Sequence, residues 1–241
     1  MRNPKWHRDE IILALDLYFN MDSSKMSSTN SDIIELSQLL NRLPIHDVRP
    51  DEAKFRNPNG VNLKLNNFKA FDPTYTGKGM ENYGKLDKQV FEEFASDTDR
   101  LHQIANRLRE VSKDLELANK LYLISEDEED DQFQVKEGAV IYKLHKYRER
   151  DSKIIKKKKE KEYKKLGKLP CEACTFDFYQ RYGELGHKYI ECHHRTPLSD
   201  FSTTSKTGLS DLALVCANCH RMLHRKVDTL SIEGLRSILT A

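Results

Sequence analysis

The apolar positions of the front half of the chain follow a helical period. Between Glu10 and Phe19 they recur at helical spacing, and Asp9 stands where a cap belongs, which predicts a first helix over 10–19. The polar stretch from Asp22 to Asn30 reads as a loop, Ser31 caps a second helix over 32–42, and Pro44 ends it. After the turn Asn57-Pro58-Asn59-Gly60, residues 61–71 are too short and too rich in asparagine to define a helical register. From Lys85 to Ser125 the three- and four-residue spacing returns, carried by Leu86, Val90 and Phe94 and then by Leu101, Ile104, Leu108, Val111 and Leu115. Trp6 and Tyr18 fall on a pattern that reads as core, so this half is expected to be mainly α.

The block Glu126-Asp-Glu-Glu-Asp-Asp131 interrupts the pattern with like charges, which marks a solvated linker. It divides the chain into a mainly α domain over 1–125, an acidic linker over 126–135 and a second domain over 136–241. Residues 136–168 read as a basic helix or helical pair, whose run Lys156 to Lys165 just precedes the first cysteine. Its lysines either touch phosphate or form a solvated face supported by Glu160 and Glu162.

Charge sharpens that division. The net charge of +2 is an average: residues 1–131 hold 18 Lys and Arg against 25 Asp and Glu, whereas 132–241 hold 22 against 13. A basic half suits a polyanion, because lysines beside phosphates release condensed counterions. The first residues contain no apolar signal core, and the run Ile11 to Leu15 is far too short to span a bilayer, so a cytoplasmic protein with no membrane partner is expected.

The chemistry is concentrated in the basic half. Cys171-Glu-Ala-Cys174 and Cys216-Ala-Asn-Cys219 each present two sulfurs to one point, and in a reducing compartment such pairs close a tetrahedral structural Zn2+ site rather than disulfides. Cys192, the fifth cysteine, is expected at a buried apolar position in a strand. His193 and His194 are adjacent, and His220 and His224 lie four apart on one side of a helix that begins within the second cysteine pair. The aromatic-rich stretch between Cys174 and Glu191 is expected to pack the small zinc module, with base stacking by Tyr179 or Tyr182 as the alternative.

Glu191-Cys-His-His-Arg-Thr-Pro-Leu198 followed by Asp211-Leu-Ala-Leu-Val-Cys-Ala-Asn-Cys-His-Arg-Met-Leu-His224 resembles the zinc-containing HNH, or ββα-metal, domain of McrA-type restriction endonucleases. The segments Trp6 to Tyr18 and Phe55 to Phe68 resemble, less closely, a domain that precedes such HNH domains in restriction enzymes. The resemblance implies an α+β chain: a mainly α amino-terminal domain, a basic helical segment and a small zinc-stabilised ββα-metal domain. It also implies a phosphodiesterase centre in which His193, His220 and His224 hold a catalytic divalent cation, Mg2+, Mn2+ or another divalent transition metal, and His194 is the general base. Neighbours in a regular strand point to opposite faces, so the hairpin is expected to bend at the histidine pair. Asp211 stands where most HNH motifs carry an asparagine that fixes the base-bearing loop; a carboxylate there accepts but does not donate. Arg195 and Arg221 either hold phosphate oxygens or stay solvated.

Lys156, Lys157, Lys158 and Lys159 are the candidate phosphate contacts of the basic segment. In the front domain Arg56, Asn57, Asn59, Asn62 and Lys64 belong to the densest amide and basic cluster and are the candidate base contacts, against the plainer reading of a turn and a solvated polar face. The reading as a whole is a DNA endonuclease, cutting double-stranded DNA that carries modified bases, in defence against phage and other foreign DNA. Cutting both strands together calls for a homodimer. The alternatives are a sequence- or structure-selective HNH nicking enzyme and a non-catalytic zinc-ribbon DNA-binding protein.

Overall fold

A computed structural model describes residues 2–77, 79, 80, 83–123, 138–149, 152–195, 208–225 and 230–239. The acidic block 126–131 lies outside the described residues. The contacts gather the chain into two compact units, one formed by residues up to 123 together with 138–141 and one by residues from 142 onward. None of the described helices is long and apolar enough to cross a membrane.

The first unit is helical: α1 Arg8–Asn20, α2 Ser31–Arg42, α3 Pro58–Phe68, α4 Lys85–Phe94, α5 Thr98–Lys113 and α6 Leu115–Tyr122. Helix α1 is the hub, packing on α2, α3, α4 and α5. Ile11, Ile12, Leu13, Ala14 and Leu15 are all buried, the signature of a helix surrounded by protein. Three details differ from the sequence reading. His7, not Asp9, caps α1, in a capping box closed by Glu10. Asn30, not Ser31, caps α2. Residues 58–68 do form a helix, with Asn57 as cap and Pro58 in its first turn; Val61, Lys64, Leu65 and Phe68 are its buried face, so a lysine hides the apolar period. Tyr18 is buried as expected, whereas Trp6 is half-buried.

Burial of α1 takes charges with it. Glu10 accepts two hydrogen bonds from Arg56, Nε at 2.6 Å and Nη2 at 2.7 Å, and lies 3.1 Å from Nε2 of His46. Burial alone would raise the Glu10 pKa, but the bonds and charges of His46 and Arg56 outweigh it and hold the carboxyl below the usual range. Asp16 pairs with Arg109 and His102. Asp9 accepts from the backbone N–H of Val140 at 2.8 Å, at the first turn of the next helix, α7 Ala139–Glu149.

After α7 and α8 (Ser152–Leu166) come a short helix α9 (Phe178–Tyr182), strand β1 (Glu191–His194), strand β2 (Leu212–Val215), α10 (Ala217–Arg225) and α11 (Ile232–Leu239). The expected basic helical segment is thus the pair α7 and α8. The strands pair antiparallel, Glu191 with Val215 through His194 with Leu212. Leu169, Ile190, Cys192, Leu214, Val215, Leu223 and Leu235 are among the residues that form one core around the cysteines. Cys192 sits there as the sequence predicts.

Candidate active site

The first cysteine pair is built on a tight turn. Cys171 N–H donates to the Phe176 carbonyl and Thr175 N–H to the Cys171 carbonyl, both at 2.8 Å, and Thr175 takes a positive φ of 64° to close it. Glu172 ties this turn to β2 twice: its own N–H donates to the Leu214 carbonyl and its carboxylate accepts from Leu214 N–H. The second pair opens α10, where Cys219 N–H points to the Cys216 sulfur at 3.5 Å. The result brings the sulfurs of Cys171, Cys174, Cys216 and Cys219 within 4.8 Å of one another, with Cys174 and Cys216 3.7 Å apart. Four sulfurs at the corners of a zinc tetrahedron stand about 3.8 Å apart, given Zn–S bonds of about 2.3 Å, so the donor set fits Zn2+.

Burial pushes the Cys219 and Cys174 thiols up; at Cys171 burial is outweighed by backbone hydrogen bonds at Cys174, Cys216 and Ala173, which bring it below the ordinary thiol. A dication relieves the cost of crowding such groups by taking them all as thiolates.

Helix α10 also contributes to a second cluster. One residue past Cys219 it presents His220 and, a turn later, His224, and both rings meet His193 of β1. The ring centres lie 5.3 Å (His193 to His220), 4.9 Å (His193 to His224) and 4.8 Å (His220 to His224) apart. A nitrogen of each ring lies within 4.8 Å of the others. Three imidazoles converging in this way suit a divalent cation with open coordination positions.

One residue of this centre escaped the sequence reading. Glu191 lies two before His193, hence on the same face of β1, and its Oε2 is 2.7 Å from Nδ1 of His220. A carboxylate accepting from Nδ1–H leaves Nε2 as the lone-pair nitrogen for a cation and fixes the ring's orientation. The period-two spacing from His193 is the signal that could have found it.

The histidine pair does not bend as expected. Pairing runs in register through His194, and Arg195 N–H continues it to the Asp211 carbonyl at 2.8 Å. Glu191 and His193 therefore face α10, and Cys192 and His194 the opposite side, where His194 is only 2% exposed. The Asp211 carboxylate accepts from Gly208 N–H at 2.7 Å, closing its own turn. Arg195 forms ion pairs with Glu172 and Glu233, and Arg221 is exposed on α10.

The other predicted contacts scatter. Lys156 and Lys157 are exposed and Lys159 half-buried, whereas Lys158 is buried against Glu162. In the first unit Asn59 is exposed, but Arg56 and Lys64 correct the expectation of base contacts: both are buried, Arg56 on Glu10 and Lys64 on Asp87 at 2.7 Å, and both lie over the ring of Trp6. Asn57 is committed to capping α3, and Asn62 accepts from Asn66. Nor do the aromatics of the zinc module all serve as core, since Tyr179 and Tyr182 are exposed.

Residues 171–226 match the family model described as HNH endonuclease. The match spans both cysteine pairs, the histidine pair, β2 and α10, and leaves the first unit outside it. No curated protein and no solved structure matches the chain.

Proposed function

We propose that the chain is a divalent-metal-dependent DNA endonuclease of the modification-dependent restriction type. The observation that carries the reading is the three-imidazole cluster of His193, His220 and His224 and the four-cysteine cluster, which share α10 and lie inside the stretch that matches HNH endonucleases. Zn2+ on the cysteines would fix the phase of α10 against the hairpin. A second cation on the histidines would polarise a phosphoryl oxygen and stabilise the leaving oxygen. Glu191 holds His220 in the tautomer that such binding requires. His194, by its place in the motif, is the general base, and a rearrangement of the strand end would have to bring its buried ring to the attacking water. Asp211 positions it through the backbone, by accepting from Arg195 N–H next door.

Discrimination falls to the first unit, a separate compact body from which Asn59 is exposed. Modified bases are its proposed target, because an enzyme that cuts DNA in its own cell must distinguish foreign from host duplex. A homodimer would supply one centre for each strand. The test is one plasmid prepared unmodified, cytosine-methylated and adenine-methylated, incubated with Mg2+ or Mn2+, with His194→Ala as the blank. Cutting confined to one modified form is expected. Equal cutting of all three would remove modification from the reading, and no cutting of any would remove the nuclease.

A further inference from the structure

The loop between the first cysteine pair and β1 exposes aromatic rings on a closely held backbone. Asp177 caps α9, accepting from Gln180 N–H at 2.8 Å and from Leu169 N–H at 3.2 Å. Gly186 passes so near α9 that a Cβ there would lie 2.0 Å from the Phe178 carbonyl oxygen, so backbone packs directly on backbone. Phe176 and Phe178 turn towards the core. Tyr179, Tyr182 and Tyr189 do not, and are 51%, 54% and 51% exposed. Their rings fall into two groups that meet at consecutive residues of α9: Phe178 stacks on Tyr182 and meets Tyr189 edge-on, and Tyr179 meets His187, which in turn meets Tyr163 of α8.

The surroundings are basic. Lys188 places its amine 4.4 Å from the centre of the Tyr163 ring, and Arg181 projects from α9. Helix α8 exposes Lys157, Lys161 and Lys164, whose spacing of four and three puts them on one stripe. Glu160 interrupts the stripe, and Glu184 accepts from the Tyr179 hydroxyl. An apolar patch rimmed by charge marks a binding surface. The rings ask for a flat π-faced ligand and the cations for a polyanion, a combination met by nucleotides whose bases are not paired. A duplex hides its base faces and can use only the lysines.

We infer that this loop is a platform for unpaired nucleotides, with bases stacked on Tyr179, Tyr182 and Tyr189 and phosphates met by the cations of the same loop, Arg181 and Lys188. The inference rests on the reading of this unit as a DNA nuclease and specifies what it holds: a single-stranded stretch next to the cut. Tyr189 precedes His193 by four residues, at most about 14 Å of chain, which keeps the platform close to the histidine cluster.

The experiment is fluorescence anisotropy of a labelled single-stranded oligonucleotide and of its duplex, with the full chain carrying His194→Ala. Adding Tyr179→Ala and Tyr182→Ala together is expected to weaken single-strand binding by about tenfold or more, with duplex binding unchanged. The corresponding double replacement by Phe keeps the rings and is expected to keep the affinity. Bound zinc, measured on every variant, reports an intact module. Unchanged single-strand binding with Ala at both positions overturns the platform while leaving the nuclease reading intact. Failure of both nucleic acids to bind the His194→Ala chain overturns both.

Discussion

The two units each gather polar side chains out of water, but they settle the account differently. In the first, the buried charges described pair with opposite ones: Glu10 with Arg56, Lys64 with Asp87, Asp16 with Arg109. Such clusters are closed, and what they hold together is the fold. The second also has mixed pairs, such as Lys158 with Glu162 and Arg195 with Glu172, but adds two sets built of ligand types, four thiols and three imidazoles. Each set converges its lone pairs on one point, which is the arrangement a divalent cation takes up. Complementarity within a polar cluster therefore separates scaffold from chemistry better than polarity or burial alone. It also explains why Arg56 and Lys64, which the sequence presents as DNA contacts, serve as internal braces.

The contrast can be broken most severely at the cysteines. Cys171→Ser should cost the second unit most of its folding free energy, since structural zinc contributes on the order of 10 kcal/mol in small modules. Bound zinc and the thermal transitions of the full chain check this; a variant that retains stoichiometric zinc and unchanged melting would show that the four cysteines are not one site. The next largest effect is expected on the other side of the comparison. Arg56→Ala strands Glu10 in the core and should destabilise the first unit by about 3–5 kcal/mol, read by urea denaturation. If it instead weakened DNA binding with no change in stability, Arg56 would belong to an interface after all. Glu191→Gln keeps a neutral acceptor beside His220 and should cost about 10- to 100-fold in catalytic-metal affinity or cleavage rate, with zinc content unchanged.

Acid provides the mildest probe, and its sign follows from Glu10. A carboxyl held below its unfolded pKa adds stability that is fully present above the unfolded carboxylate range and is lost as pH falls through the lowered folded value. The first unit should therefore weaken on acidification below about pH 4.5, the ordinary carboxylate value, and the Arg56→Ala variant should show a shallower slope there. Parallel slopes for the two proteins would detach the pH dependence from this pair.

How far the sequence reveals all this depends on the range of each interaction. The cysteine pairs and the His220–His224 spacing are legible because a short turn or one helical repeat sets them. The ββα order is legible for the same reason. Helix α3 is not, because its buried face includes Lys64, whose partner Asp87 lies 23 residues away. The fate of Arg56 is hidden by a still longer separation, 46 residues to Glu10. The tyrosines of the zinc module show the reverse error: composition suggests core, and only the packing of Phe176 and Phe178 into the available space leaves the tyrosines outside.

Helix α10 belongs to both clusters, with Cys219 and His220 as immediate neighbours. On the ribosome this imposes an order. The helices up to α6 emerge first, and the last imidazole of the histidine cluster, His224, follows Leu123 by about a hundred residues, roughly 5–20 s of synthesis. Throughout that interval the helices of the first unit can form, so the three imidazoles meet only after those helices have had seconds to pack.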